Sequence, residues 1–496
     1  MSMTDPATLL KSEILHQDLT TLVGLVETAW RDGLPLHTIE RGIWDQVLQL
    51  GRRCLGLLFA LAGTGDLGPT VTLPDGQECQ RLPDLHTRGY VSIFGRFQLQ
   101  RVVYGSRAGQ KIDCVPLDNR LQLPASNFSY VLQDWDQGLC VEQAFGQASG
   151  TVARMLGLRQ SVDSLEHMNQ AMAVDAPTFL LNRPVPAGGG ALLVTSADGK
   201  GVVLRRTADD PAPKAHRTKG DKASQKQMAT VGAVYSVDPY VRTPEQVVAA
   251  LFRDAPARSR DRPQPQHKHV WASLAVDEEP GSGTAQVFAW LVGELVQRDA
   301  DGQQPLVFLS DGQESLWEAR TKWLPARGVD ILDLLHVTPR LWQAAHVFHQ
   351  EKSAAAEQLV RKHLLRVLQG ETAQVVRNLR QLGRVRGLTG AKKKTLGKVC
   401  AYLRKNQHRM RYDAYLAAGY PIASGVIEGA CRHLVKDRLE RAGMHWTVAG
   451  AQAMLNVRSV HCSDAWEEYQ EFRIEREQHK LYPHRELVSN LYPMPV

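Results

Sequence analysis

Between residues 191 and 349, apolar runs of strand length alternate with amphipathic stretches of helix length, and their order constrains this chain more than any other feature. The runs Ala191-Leu192-Leu193-Val194 and Val202-Val203-Leu204 flank Asp198-Gly199-Lys200-Gly201 and read as a hairpin that turns at the glycines. Residues 228–237 and 270–276 read as further strands. Residues 285–296 put Val287, Trp290, Leu291 and Leu295 on one face of a helix. The run Leu306-Val307-Phe308-Leu309 follows, then a helix opening near Gln313, a strand over 329–333 and a helix over 341–349. A β-β-β-α-β-α-β-α order predicts a mixed sheet flanked by helices, an α/β fold.

Three carboxylates stand where these elements end or begin. Asp198 closes the first apolar run, and Asp311 follows 306–309 in a second Ser-Asp-Gly-type ending. Glu428 falls in the first turns of a helix with Ser424 as its N-cap and Ile427, Leu434, Val435 and Leu439 at helical spacing. Arg432 and Lys436 follow at four-residue steps and are expected on the Glu428 face. One Asp-Gly pair is a common turn dipeptide and needs no function. Recurrence of the arrangement, beside small residues that admit a ligand, gives it a chemical meaning. Two divalent cations about 4 Å apart activate a hydroxyl, align its attack on phosphorus and stabilise the leaving oxygen. Magnesium prefers carboxylate oxygen and water, so carboxylates from separate elements suffice as ligands.

TSADGKGV around Asp198, FLSDGQESLW around Asp311 and SGVIEGACRHLVKDRLERAGMHW around Glu428 resemble bacterial insertion-sequence DDE transposases. The resemblance is to the ISKra type, related to Mutator-like transposases. Asp333-Leu334-Leu335-His336 resembles the [C/D]-x-x-H signature that the Mutator-like group carries before its Glu. The resemblance spans roughly 89–446 and implies an RNase H-like catalytic core, a mixed sheet flanked by helices, with a helical insertion. It implies Asp198, Asp311 and Glu428 as catalytic and metal ligands, with Asp198 bridging two Mg2+ ions and Mn2+ able to replace them. Asp333 and His336 are implied auxiliaries that orient phosphate or DNA. The implied activity is recognition of terminal inverted repeats, strand cleavage and strand transfer into target DNA, by a homodimer or higher homo-oligomer. An RNase H-like nuclease without strand transfer and a non-catalytic transposase-derived DNA-binding protein are the alternatives.

The remaining chain is read around that core. Residues 1–125 are expected to hold two or three helices and a small antiparallel sheet over 90–104, with 69–82 as a turn-rich connector. Arg96, Arg101 and Arg107 along that sheet read either as a solvated face or as phosphate contacts. Residues 126–185 contain a helix over 140–156, a Gly157-Leu158-Arg159-Gln160 turn and a second helix from 162, a helix-turn-helix pattern for DNA. The core is expected over 186–350 and 416–462, interrupted by a basic helical insertion over 351–415, with a tail over 463–496. The net charge is +7, from 59 basic and 52 acidic residues, and it suggests a polyanion only where it is concentrated. Two stretches concentrate it: the loop with Lys214, Arg217, Lys219 and Lys222, and the insertion with Lys392, Lys393 and Lys394. Arg205 and Arg206, at the end of the first strand pair, join Arg432 and Lys436 as further DNA contacts. Trp446 reads as core, ahead of a platform for an extruded base. Seven scattered cysteines without a CxxC pair fit reduced thiols and no zinc ribbon. No apolar run is long enough to span a bilayer, so the expected place is the cytoplasm, on the nucleoid.

Overall fold

The computed structural model describes residues 6–105, 112–186, 188–205, 226–254, 262–274, 281–441, 443–483 and 485. The chain divides into two units, Met1–Met168 with Glu467–Val496, and Asn169–Trp466. Among the described residues no helix is long and apolar enough to cross a membrane.

The first unit opens with two long helices, α1 (Pro6–Asp32) and α2 (Leu36–Ala62), joined through Gly33 at φ +61°. They pack on one another, yet α1 leaves Leu19, Val23, Val26 and Trp30 exposed. The stretch 69–82 is not a plain connector. It forms β1 (Thr70–Thr72) and β2 (Glu78–Arg81) around Gly76 at φ +84°. Strands of three and four residues are too short for their alternation to be read. The predicted ribbon appears as β3 (His86–Ser92) antiparallel to β4 (Gly95–Arg101), and β5 (Tyr104–Gly105) completes a separate sheet in the order β1-β2-β5.

Arg101 corrects its sequence reading. It turns inward and, with Arg88, holds the buried Asp118 of α3 (Pro116–Leu121); the Arg88 bond is 2.7 Å. Arg96 donates to the Arg159 carbonyl at 2.9 Å, and Arg107 lies outside the described residues.

Three helices follow: α4 (Tyr130–Cys140), α5 (Phe145–Leu156) and α6 (Val162–Ala173). The first helix of the expected pair therefore starts at Phe145 rather than at residue 140. Gly157, at φ +67°, ends it. Ser149 donates to the Gln160 carbonyl at 2.7 Å and ties the turn to α5. Gln160 also bonds the fully buried Asp136 of α4, whose Oδ1 has no partner. Burial pushes the Asp136 carboxyl up to about 7, and the Gln160 bond only partly opposes it. In an unfolded chain this carboxyl titrates near 3.9. The folded state therefore binds the extra proton between about pH 4 and pH 7, and stability falls as pH rises through that window. Asp136→Asn keeps the bond to Gln160 and removes the charge. Denaturant unfolding at pH 8 is expected to show a gain of roughly 2–4 kcal/mol, vanishing near pH 4.

In the second unit, α7 (Ala176–Asn182) precedes a five-stranded sheet. β6 (Leu192–Val203) and β7 (Lys226–Val237) are antiparallel; the short helix α8 (Pro244–Leu251) then leads to β8 (Gln266–Ser273), antiparallel to β7. After α9 (Gly283–Arg298), β9 (Leu306–Ser310) returns parallel to β6. After α10 (Glu314–Trp323), β10 (Val329–Leu332) lies parallel to β9. The spatial order is β10-β9-β6-β7-β8. The predicted face of α9 is buried at Val287, Trp290, Leu291 and Leu295.

One expected element is absent. Asp198-Gly199 makes no turn: β6 runs straight through it, with Asp198 opposite Val231, Gly199 opposite Thr230 and Gly201 opposite Met228. A two-residue hairpin turn of the Asp-Gly type needs positive φ at both residues. Here β7 pairs with β6 on both sides of the dipeptide, and that ladder overrides the local preference. The hairpin partner of 192–203 is therefore β7, not Val202–Leu204.

Beyond β10, α11 (Leu334–Phe348) starts earlier than 341 because Asp333 caps it, accepting from Leu335 N–H at 2.8 Å. The expected insertion forms α12 (Ala354–Leu368), α13 (Thr372–Val385) and α14 (Gly390–Asn406). Then come α15 (Tyr412–Ala417), α16 (Gly425–Ala430), a π-helical turn over Cys431–Lys436, α17 (Asp437–Leu439) and α18 (Val448–Cys462), which lies on β8. Within the expected tail, Trp466–Leu481 is a helix.

Candidate functional site

Strand register builds the site. The parallel pairing of β6 with β9 ends at Ala197 opposite Ser310, and that of β9 with β10 ends at Leu332 opposite Ser310. The next residue on each strand is an aspartate: Asp198, Asp311 and Asp333. Three carboxylates thus stand in one row just past the last parallel pairs of three neighbouring strands, about 4.8 Å apart from strand to strand. In-register residues of parallel strands point to one face, so the row has a common side.

Each position is held by the backbone around it. Asp198 accepts from Gly199 N–H at 2.7 Å. Asp311 accepts from Gln313 N–H at 2.8 Å, and its own carbonyl takes the Trp317 indole N–H at 2.7 Å. Asp333 is buried, and Asp333 N–H donates to the Ser310 carbonyl at 2.9 Å. The D-x-x-H spacing places His336 one turn into α11, with Nδ1 at 3.3 Å from Asp333 Oδ2.

Glu428 arrives from the far end of the chain. Ser424 caps α16 by accepting from Ile427 N–H at 3.3 Å, and α16 packs on β6 and β7. Ligand atoms of Asp333, His336 and Glu428 all lie within 4.8 Å of one another. Among the described residues this is the tight three-membered set, so the two predicted auxiliaries stand with Glu428 as closely as a shared cation requires. Burial raises the Asp311 carboxyl; the Gln313 bond opposes this, and the charges of Asp198 and Asp333 add to it. Glu428 is raised by desolvation and then by Asp333. His336 is raised by its bond to Asp333, with Asp311 and Asp198 adding to the effect. Five side chains therefore share one field with four carboxylates against one imidazole. Hard oxygen donors with one imidazole are a fitting set for Mg2+ or Mn2+.

Other predicted residues are placed differently. Arg432 and Lys436 do not continue the Glu428 face as a regular helix would, because the turn from Cys431 to Lys436 is π-helical and shifts the angular register. Both are exposed, and Arg432 pairs with Asp437 at 3.5 Å. Arg205 is exposed and donates to the His445 carbonyl at 3.1 Å. Lys392, Lys393 and Lys394 are exposed in the first turn of α14. Trp446 is core, joined to the end of β6 by Arg205 N–H to Trp446 C=O at 2.7 Å. Arg206, Lys214, Arg217, Lys219 and Lys222 lie outside the described residues.

Two neighbours escaped the sequence reading. Cys431 is buried, and its Sγ–H donates to Asp198 Oδ2 at 3.5 Å. Tyr402, from insertion helix α14, approaches so closely that a Cβ on Gly312 would lie 2.7 Å from its hydroxyl. Burial pushes Tyr402 up to about 12; the stacked Arg340 guanidinium, 4.9 Å from the ring, opposes this, while Asp311 and Asp333 add to it. Gly312 is thus a glycine for close approach, not for a turn. The insertion forms one wall of the site, which no periodicity in its own sequence reveals.

No family model matches the chain, and no curated protein matches it. Among solved structures it is similar to the Drosophila P element transposase strand transfer complex, at 12% identity, over 74% of this chain and 88% of that one, with a TM-score of 0.25. A score of that size establishes no common fold.

Proposed function

We propose that this chain is a DDE-type transposase that cuts and joins DNA strands at the Asp198–Asp311–Asp333–His336–Glu428 cluster. The observation that carries the reading is the row of three aspartates in strand register, joined by Glu428 from α16. The strand order β10-β9-β6-β7-β8, three antiparallel strands followed by two parallel ones, supports an RNase H-like core. Asp198, Asp311, Asp333, His336 and Glu428 would hold the divalent cations. A bound Mg2+ or Mn2+ would polarise the scissile phosphate and lower the pKa of the attacking water or 3′-hydroxyl.

The chain's own residues do the rest. Asp333 orients His336 through their hydrogen bond, and Cys431 orients Asp198. Tyr402 and Arg340, stacked at 4.9 Å, are the proposed phosphate donors, a phenol and a guanidinium. Helices α5 and α6 are the proposed reader of the terminal repeats. The exposed residues Leu19, Val23, Val26 and Trp30 of α1 recur at alternating steps of four and three, the spacing of a helix-pairing seam, and support a homo-oligomer on DNA.

Incubating the protein with DNA carrying its gene's flanking sequence, Mg2+ or Mn2+ and a target plasmid tests the reading. Nicks at the element ends followed by joined products are expected. Nicks without joining favour a nuclease, and binding without nicks favours a non-catalytic protein. The exposed Lys392, Lys393 and Lys394 are proposed phosphate contacts. Replacing all three by Ala is expected to weaken binding to any DNA and to make the slope of log K against log salt shallower by up to about 3 units. Preference for the terminal repeat should persist, since phosphate contacts carry no sequence information.

A further inference from the structure

A cavity of about 530 Å³ lies against α16, the helix that carries Glu428, on a face other than that of Glu428. Gly425 and Gly429, four residues apart, form its wall on α16, while Glu428 projects elsewhere on the helix. A Cβ at Gly425 would meet nothing within 4 Å, and one at Gly429 only the edge of His433 at 4.0 Å. The opposite wall is the start of β8. There His267, Lys268, His269 and Val270 all line the cavity, although a regular strand would show it only alternate residues. The reason is local: the β7–β8 register shifts between Val234 and Ser236, and His267 sits at φ +49°. That left-handed conformation is costly for a residue with a Cβ. It is held by Arg298, which donates to the His267 carbonyl at 2.9 Å.

Charged and hydrogen-bonding groups gather beneath the floor. His269 is buried, with Nδ1 at 2.9 Å from the buried Glu294, and Glu294 also accepts from Arg298 at 3.0 Å. Arg183 approaches His269 Nε2 at 3.4 Å and donates to the Ser463 carbonyl at 2.8 Å. Arg183 and Lys268 are the cations that line the cavity, with Asp464 at its rim, while Arg298 is paired with Glu294 beneath it. His267 and His433 add imidazoles, the latter with its Nδ1 at 3.1 Å from Asp437 Oδ2.

We propose that this cavity binds a nucleoside phosphate, with the phosphate on Arg183, Lys268 and His267 and the ring system against the Gly425–Gly429 wall. The volume suits one nucleotide, within the range of about 300–1,000 Å³ typical of small-ligand sites. The source is either a free nucleotide or the terminal nucleotide of a DNA strand. The site does not depend on the chemistry proposed for the carboxylate cluster.

Calorimetric titration of the full-length protein with thymidine monophosphate, inorganic phosphate and a short single-stranded oligonucleotide tests this. Binding of the mononucleotide or the oligonucleotide is expected, and which of the two binds identifies the source. Gly429→Leu, which fills the cavity with a better helix former, is expected to weaken that binding at least about tenfold. Lys268→Gln, at an exposed position where folding is not at stake, is expected to weaken it several-fold. Equal affinity of wild type and Lys268→Gln, or no binding of any probe at millimolar concentration, overturns the proposal. Inorganic phosphate binding as tightly as the mononucleotide overturns its nucleoside part.

Discussion

Asp198→Asn, Asp311→Asn, Asp333→Asn and Glu428→Gln are each expected to lower metal-dependent strand cleavage by at least about a thousandfold, a loss of about 4 kcal/mol of transition-state stabilisation. The amides keep size and most hydrogen bonding while removing the charge that a cation needs. Asn is a sound choice at position 333, because Asp333 caps α11 and Asn caps as well as Asp. Gel assays of nicked DNA give the rate, and circular dichroism with a denaturant melt reports the fold. Unchanged cleavage in one variant removes that residue from the cluster. A lost fold marks it as structural.

Asp118→Ala is expected to destabilise the first unit by about 3–5 kcal/mol. Asp118 is buried, with 8% of its side chain exposed, and it is the shared carboxylate for Arg88 and Arg101, themselves 10% and 15% exposed. Removing it leaves two nearly buried guanidiniums without that charge, which is far costlier than losing a surface ion pair. Urea unfolding followed by tryptophan fluorescence is expected to show an early transition that the wild type lacks. A shift of less than about 1 kcal/mol means that water reaches both arginines and that the trio is not a keystone of this unit.

The strands of the second unit, the amphipathic α9 and the Glu428 helix are legible because each carries its own run, period or cap. Val287, Trp290, Leu291 and Leu295 announce a buried face, and Ser424 announces a helix start. The row of aspartates was legible only in part. Each Asp closes an apolar run, but that the three share one register depends on which strands are neighbours, and sequence does not encode adjacency directly. The misread turn at Asp198-Gly199 has the same origin: twelve residues of pairing with β7 outweigh a local dipeptide preference. Asp333 and His336 read as auxiliaries through the resemblance of D-x-x-H to the Mutator-like signature. Its meaning appears only when Asp333 caps α11 and both side chains stand beside Glu428. Tyr402 and Cys431 were invisible for a related reason, since each reaches the site from a segment distant in sequence. The inward turn of Arg101 follows from Asp118, a partner that no pattern along β4 reveals.

Manganese binding tests the central claim most directly, because it reads the carboxylate cluster without relying on DNA, repeats or turnover. Electron paramagnetic resonance titration of the full-length protein with Mn2+ is predicted to show bound ion in the wild type. Asp333→Asn and Glu428→Gln are predicted to weaken that binding at least about tenfold. Wild-type protein that binds no Mn2+, or variants that bind it as tightly as wild type, would contradict the account.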